Sequence, residues 1–148
     1  MIHFEDLRPD VEMWFGPLTV SAEDIVRFAR QYDPQPFHLS DEGARDTIFG
    51  SLAASGWHTA ALTMKMMIGD PNQRVASLGS PGFDDLRWRR PVYPGDTLRV
   101  RLRCIDTKPS QSRPSMGIAR FQVETLNQND DVVMSFISIA MIARRPGN

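Results

Sequence analysis

Asp33 and His38 place a carboxylate and an imidazole five positions apart in the segment 32–38 (YDPQPFH). Pro34 and Pro36 restrict the backbone and lack an N–H group, so the chain between the two side chains is stiff and not helical. A segment of this kind can hold an acid and a base rigidly around one water molecule. The pair is therefore a candidate for general acid–base catalysis.

Ser55 and Gly56 form a second group of candidates, because they come just before a helix predicted over residues 57–68. The N–H groups and the positive dipole at a helix start can stabilise a developing oxyanion. Adding water to a double bond conjugated with a thioester requires a base, a proton for the α-carbon and such a donor. Asp33 and His38 meet the first two requirements and Gly56 the third. Taken singly, each also has a structural interpretation, namely a helix end, a turn residue and a site of close packing.

Three helices are predicted in the first half of the chain. Ser21 to Asp24 resembles a capping box, and a helix follows over 22–32. A short helix is expected near 41–46, and the helix over 57–68 is expected to be the most buried. Its predicted buried face is defined by helical spacing and consists of Ala60, Ala61, Met64, Met67 and Ile68.

Alternating apolar residues predict strands mainly in the second half of the chain. A first strand, at an edge or bent at Gly16-Pro17, is expected over 13–20. The other four are expected over 84–92, 97–107, 117–127 and 132–143. This order is typical of an α+β domain in which a helix packs on one face of a curved antiparallel sheet.

Composition predicts one domain over residues 1–148 and a small-molecule or protein partner. With 17 Lys plus Arg against 18 Asp plus Glu, the net charge of -1 gives no reason to expect binding to nucleic acid or to a membrane surface. One cysteine, Cys104, and the lack of a zinc-ligand spacing predict no disulfide and no metal. The N-terminus lacks a signal-peptide pattern, so a cytoplasmic location is expected.

Four motifs together resemble those of a known family. Residues 33–38 (DPQPFH), 49–50 (FG) and 53–56 (AASG) follow the order and spacing of the signature of MaoC-like dehydratases and (R)-specific enoyl-CoA hydratases. Residues 90–98 (RPVYPGDTL) resemble the turn between two strands in these proteins. The resemblance covers roughly residues 14–143.

The resemblance implies a hotdog fold with an additional N-terminal helix and an overhanging segment. It implies that Asp33 and His38 are the catalytic pair and that the Gly56 amide donates to the thioester oxygen. The implied reaction is reversible hydration of a 2-enoyl thioester to a 3-hydroxyacyl thioester. Coenzyme A enters as part of the substrate, or an acyl-carrier protein replaces it, and no separate cofactor is expected. A homodimer, or a higher oligomer, with acyl chains at its interface is also implied.

Five residues near these motifs are candidates for substrate binding, namely Tyr32, Gln35, Phe37, Ser55 and Trp57. Two of them depart from the family pattern, because Tyr32 stands where many members have Gly and Gln35 stands where Asn is usual. Gln35 keeps the amide, so it can still orient the catalytic pair. The departures bear on the choice of substrate more than on the chemistry.

Two weaker candidates have simpler interpretations. Arg87, Arg89 and Arg90 could bind the phosphates of coenzyme A. Alternating arginines on a strand usually form a solvated face, and this interpretation is the one we favour. His58 is interpreted as a partly exposed helical histidine without a catalytic partner.

Two other functions remain alternatives. A hotdog thioesterase shares the fold and the thioester substrate, but such enzymes commonly carry a carboxylate on or near the central helix, and residues 57–68 contain no Asp or Glu. A non-catalytic acyl-CoA-binding protein would keep the fold without turnover. The Asp33 and His38 pair counts against both.

Overall fold

The computed structural model describes residues 1–147, in which five strands and three helices are joined by short turns. The strands are β1 (Glu12–Thr19), β2 (Ser77–Trp88), β3 (Thr97–Pro109), β4 (Met116–Leu126) and β5 (Val132–Ala143). The helices are α1 (Ala22–Tyr32), α2 (Asp41–Ala44) and α3 (Gly56–Gly69). Short 3-10 turns lie at Phe4–Asp6, Pro36–His38 and Pro71–Gln73.

All five strands belong to one antiparallel sheet with the order β1-β3-β4-β5-β2. The α+β prediction is confirmed, and α3 contacts β1 and β3 as the central helix. The first strand lies at a sheet edge and its register shifts between Phe15 and Leu18, as the Gly16-Pro17 pair predicts. None of the helices within residues 1–147 is long and apolar enough to cross a lipid bilayer.

The predicted strand over 84–92 is wrong at both ends, because β2 begins at Ser77 and ends at Trp88. The stretch before residue 84 is rich in Gly, Ser and Pro, which is typical of a loop. It forms a strand because β2 lies at the edge of the sheet. An edge strand has no hydrogen-bonded neighbour on one side, so it tolerates Pro81, which lacks an N–H group. Positive φ angles at Gly79 and Gly82 accompany three register shifts against β5.

Strand β3 shows the predicted alternation of one buried and one wet face. Leu98, Val100, Leu102 and Cys104 are buried in the core, and the intervening arginines lie toward solvent. The Arg101 guanidinium donates to the Glu124 carboxylate of β4 at 2.7 Å across the wet face. The alternation therefore places the apolar side of the sheet against the helices.

Helix α1 has the predicted bounds, 22–32. Its N-cap is Ser21, whose hydroxyl accepts from the Asp24 N–H at 3.1 Å. Ile25 and Ala29 are fully buried on its inner face. Helix α2 is shorter than predicted and ends at Ala44.

The predicted buried face of α3 is only partly right, because Ala60 and Met67 pack half-buried against the core whereas the other three positions are exposed. The buried side chains are His58, Thr59, Thr63 and Met66, whereas the predicted positions Ala60, Ala61, Met64, Met67 and Ile68 are half-buried or exposed. Because α3 is apolar around much of its circumference, helical spacing alone does not decide which face packs on the sheet. The helix instead turns its threonines toward the sheet and leaves apolar side chains outside.

The Thr63 hydroxyl of α3 is hydrogen-bonded both within the helix and to the sheet. The Thr63 hydroxyl donates to the Thr59 carbonyl at 2.9 Å, and it lies 2.6 Å from the Thr125 hydroxyl of β4. Neither threonine is exposed. Since the Thr63 proton is committed to Thr59, the Thr125 hydroxyl donates to Thr63, and both buried groups have partners.

This chain of donors predicts unequal effects of two isosteric substitutions. Thr63→Val leaves the Thr125 hydroxyl buried without an acceptor and should lower the free energy of unfolding by about 1–3 kcal/mol. Thr125→Val should cost less, because Thr63 keeps its bond to Thr59. The double variant should cost less than the sum of the single changes. Urea unfolding at one protein concentration measures all three, and equal single effects would contradict the assigned donor direction.

Candidate active site

The segment 33–38 is held by backbone hydrogen bonds where α1 ends. The Asp33 N–H donates to the Ala29 carbonyl at 2.9 Å, and Pro34 then prevents the helix from continuing. The His38 N–H donates to the Gln35 carbonyl at 2.9 Å and closes a 3-10 turn. As the sequence predicts, Asp33 and His38 are therefore held on a short, non-helical backbone.

Both oxygens of the Asp33 carboxylate accept hydrogen bonds. Oδ1 accepts from the Gln35 side-chain amide at 2.7 Å, and Oδ2 accepts from the Ser55 hydroxyl at 2.7 Å. Oδ2 also lies 3.4 Å from His38 Nε2. Gln35 thus fulfils the orienting role predicted for it, and the carboxylate is fixed in one orientation toward the imidazole.

Burial of the Asp33 carboxyl acts to raise its pKa, but the hydrogen bonds from Ser55 and Gln35 and the nearby His38 outweigh burial and lower the pKa. The carboxylate is therefore ionised at neutral pH. Because the pKa is lower in the folded than in the unfolded state, these interactions stabilise the fold above the unfolded pKa of Asp. Their contribution is lost as the pH falls through the folded pKa.

The His38 imidazole is buried and its tautomer follows from its contacts. Its Nδ1 lies 2.7 Å from the Ala53 carbonyl oxygen, which can only accept, so Nδ1 carries a proton. In the neutral ring Nε2 is then an acceptor and faces Asp33 Oδ2. The rings of Phe37 and Phe49 lie 4.6 and 5.9 Å from the imidazole and limit its movement.

Ser55 and Gly56 begin α3 beside this pair. Ser55 is the N-cap, but its fully buried hydroxyl donates to Asp33 and does not cap the helix. Within residues 1–147 the Gly56 N–H has no hydrogen-bond acceptor, as is usual for the first N–H groups of a helix. The Ser55 hydroxyl is thus hydrogen-bonded to the Asp33 carboxylate and not to the helix, and the Gly56 N–H remains a free donor.

The Gly56 position is closed from outside by Trp88, the last residue of β2. The Trp88 indole N–H donates to the Gly56 carbonyl at 2.9 Å. A Cβ atom on residue 56 would lie 2.3 Å from the indole ring, so only glycine fits beneath it. Trp57 packs edge-on against Trp88 with ring centroids 5.0 Å apart.

These groups line one cavity of about 480 Å³, which is large enough for a small organic ligand. Asp33, His38 and Gly56 lie in its wall together with Gln35 and Trp57. In the described part of the chain, no cluster of three or more His, Cys, Asp or Glu side chains is placed to hold a metal ion.

Three of the predicted substrate-binding residues do not line this cavity. Tyr32 is largely exposed and packs on Phe28 with ring centroids 5.0 Å apart. Phe37 supports the His38 ring, and Ser55 is buried behind Asp33. The structure thus gives Phe37 and Ser55 supporting positions and leaves Tyr32 outside the site.

Two residues were misjudged from the sequence. His58 is buried and not partly exposed, because it stacks on Phe28 with ring centroids 4.8 Å apart, and burial lowers its pKa. Trp88 was not among the candidate residues, and its contact with Gly56 was missed. The two residues are 32 positions apart, and no local pattern signals a pairing at that distance.

The fold and the site together define a hotdog protein with an acid–base pair at the start of its central helix. The family model "MaoC like domain" matches residues 8–125, and the chain belongs to this family. A crystal structure of a MaoC-like dehydratase from Rhodospirillum rubrum is 40% identical, with a TM-score of 0.89 and 99% of each chain covered. A double-hotdog protein of Mycobacterium tuberculosis shares the fold at 19% identity and a TM-score of 0.83, over 99% of this chain and 45% of that one.

Among curated relatives, the uncharacterised protein YdeM of Bacillus subtilis is 32% identical over 76% of this chain and 79% of its own length. The 3-hydroxybutyryl-CoA dehydratase of Methylorubrum extorquens is 26% identical over 98% of this chain and 87% of its own length. Protein MaoC of Klebsiella aerogenes is a longer relative, and the chain spans 30% of its length.

The close approach of Trp88 to Gly56 predicts a position-specific effect of alanine. Gly56→Ala should displace the indole ring, lower the melting temperature and change the tryptophan fluorescence. Gly69→Ala is the matched control at the other end of α3, where a Cβ atom would meet nothing within 4 Å. It should be neutral or slightly stabilising, since Ala favours helix by up to about 1 kcal/mol. Equal effects of the two changes would show that Trp88 does not pack as described.

Proposed function

We propose that the protein is an acyl-thioester hydratase or dehydratase, which reversibly adds water to a 2-enoyl thioester and gives a 3-hydroxyacyl thioester. One observation carries this proposal: Asp33, His38 and Gly56, whose N–H has no acceptor among residues 1–147, line the same cavity. They supply the base, the proton and the oxyanion donor that the reaction requires.

The base in this mechanism is His38. Because Nδ1–H is bound to the Ala53 carbonyl, the Nε2 lone pair is available on the side that faces Asp33. A substrate water that bridges Nε2 and Asp33 Oδ2 can donate one hydrogen bond to each of these two acceptors. Its oxygen adds to the β-carbon as Nε2 takes a proton, and the imidazolium then returns that proton to the α-carbon.

The charges in the mechanism are stabilised at two points. Ionised Asp33 lies beside the imidazolium and holds the water, and its lowered pKa keeps it an anion. The Gly56 N–H at the positive end of α3 donates to the thioester oxygen, on which negative charge develops. Burial of His38 strengthens the interaction between its positive charge and Asp33.

A thioesterase is the second candidate. It would use the same cavity but direct water at the carbonyl carbon. Helix α3 carries no Asp or Glu along its 14 residues, whereas hotdog thioesterases commonly use a carboxylate on or near this helix. A non-catalytic acyl-CoA-binding protein would have no use for a water held between Asp33 and His38.

The hydratase proposal predicts that conjugated enoyl absorbance falls without thiol release when the protein meets a panel of 2-enoyl-CoA substrates. His38→Ala removes the general base and should lower kcat by roughly 100-fold or more. Asp33→Asn removes the anion that holds the water and stabilises the imidazolium, and it should lower kcat by a similar factor. Asp46→Asn, an exposed carboxylate outside the cavity, is the matched control and should keep full activity.

Other outcomes of this assay distinguish the alternatives. Free thiol appearing at the rate of substrate loss would identify a thioesterase. A folded protein that binds acyl-CoA and changes neither signal would be an acyl-binding protein. The panel varies chain length, and the same acyl groups on an acyl-carrier protein test which carrier is preferred.

We also propose that the chain forms a homodimer through β2 and α3. Strand β2 is a sheet edge of 12 residues, nearly all exposed, and carries the large apolar side chains Leu78 and Phe83. On α3, Met64 and Ile68 are also exposed, Ile68 by 58%. A long edge strand beside an exposed apolar helix face is a typical surface for association.

Light scattering should therefore give twice the chain mass. Ile68→Lys places a charge on the exposed apolar face of α3 and should shift the protein toward monomer. Gln31→Lys adds the same charge to an exposed position of α1 and should leave the mass unchanged. A monomeric wild type, or equal behaviour of the two variants, would contradict the proposed interface.

A further inference from the structure

Arg89 and Arg90 lie in the wall of the cavity that contains Asp33 and His38. Asp33 is the one carboxylate among the described residues that line this cavity. Two guanidinium groups therefore share the cavity with a single negative charge. Arg87, Arg89 and Arg90 are all exposed, which agrees with the predicted solvated face, and Arg89 and Arg90 line the cavity in addition.

The Arg89 side chain is oriented by the sheet. Its Nε–H donates to the Ser135 hydroxyl of β5 at 2.8 Å, and Ser135 is buried. Its backbone N–H donates to the Val133 carbonyl at 2.8 Å, which fixes the chain just after β2. Because Nε is occupied by the serine, the guanidinium plane is set and its two terminal nitrogens remain available.

No carboxylate lies within 4 Å of the Arg89 guanidinium in residues 1–147, whereas several other arginines are paired. Arg101 and Arg120, for example, donate to Glu124 and Asp106. Arg90 has one distant partner, with its Nε 3.9 Å from Asp131 Oδ2 and its side chain 62% exposed. The cavity thus presents one oriented, uncompensated guanidinium and one loosely paired guanidinium.

We propose that Arg89, assisted by Arg90, binds an anionic group of the thioester substrate. Terminal guanidinium nitrogens suit phosphate and carboxylate equally, because both accept two parallel N–H bonds. The anion is either a phosphate of coenzyme A or a second carboxylate on the acyl group. The identity of the ligand as a thioester rests on the proposed function, whereas the binding of an anion rests on the arginines themselves.

Binding of unreactive ligands tests the subsite without turnover. Calorimetry would compare four saturated thioesters: butyryl-CoA, butyryl-pantetheine, glutaryl-CoA and glutaryl-pantetheine. Butyryl-CoA carries only the phosphates and glutaryl-pantetheine carries only the carboxylate. Glutaryl-CoA carries both groups, and butyryl-pantetheine carries neither. Arg89→Gln should weaken binding of the ligands that carry the recognised anion by roughly tenfold or more, and Arg90→Gln should have a smaller effect.

Arg87→Gln is the matched control. Arg87 belongs to the same arginine-rich stretch, but its guanidinium donates to the Leu86 carbonyl and does not line the cavity. The Arg87→Gln variant should bind all four ligands with the affinity of the wild type. Wild-type affinity should also fall with added salt, and Arg89→Gln should reduce this dependence. Thermal melting checks that each variant is folded.

The four ligands separate the sources of the anion. If Arg89→Gln weakens the binding of butyryl-CoA and leaves the binding of both pantetheine thioesters unchanged, the anion is a coenzyme A phosphate. If it weakens the binding of glutaryl-pantetheine and leaves the binding of both butyryl thioesters unchanged, the anion is the acyl carboxylate. If Arg89→Gln matches Arg87→Gln with every ligand, or if the wild type binds none of them, the subsite is overturned. Arginine-dependent binding without hydration of any enoyl thioester would retain the subsite and reject the hydratase proposal.

Discussion

The candidate site depends on the hydrogen bonds that fix the Asp33 carboxylate. Gln35 and Ser55 each occupy one of its oxygens, and they come from the turn after α1 and from the N-cap of α3. The carboxylate therefore joins two elements that lie far apart in the sequence. Ser55 is committed to this bond and does not cap α3, so the same side chain that orients Asp33 also marks the start of the central helix.

A second constraint is the close approach of the sheet to the start of α3. Trp88 lies directly on Gly56, and Arg89 follows it into the cavity wall while bonded to Ser135. The end of β2 thus shapes the outer wall of the cavity, whereas the segment 33–38 shapes its inner wall. A side chain at residue 56 would displace the indole from the start of α3.

Local chemistry in the sequence predicts much of this structure. The Ser21 cap, the proline-stiffened segment 33–38 and the alternation along β3 depend on near neighbours, and all three are observed. The buried face of α3 was predicted only in part, because a helix that is apolar around much of its circumference gives no preferred direction. The start of β2 was also missed, because edge strands tolerate the Gly and Pro that normally indicate a loop.

Helix α3 carries three separate tasks, and its composition follows from them. Its inner face holds Thr59 and Thr63, and the contact of the Thr63 hydroxyl with the Thr125 hydroxyl of β4 fixes the rotation of the helix on the sheet. Gly56 at its start lines the cavity, so this rotation also sets how the first turn of the helix meets the site. Its outer face exposes Met64 and Ile68, which a partner subunit would cover. If the proposed dimer forms, the same rigid helix connects the interface to the site, and a change that tilts α3 should affect association and catalysis together.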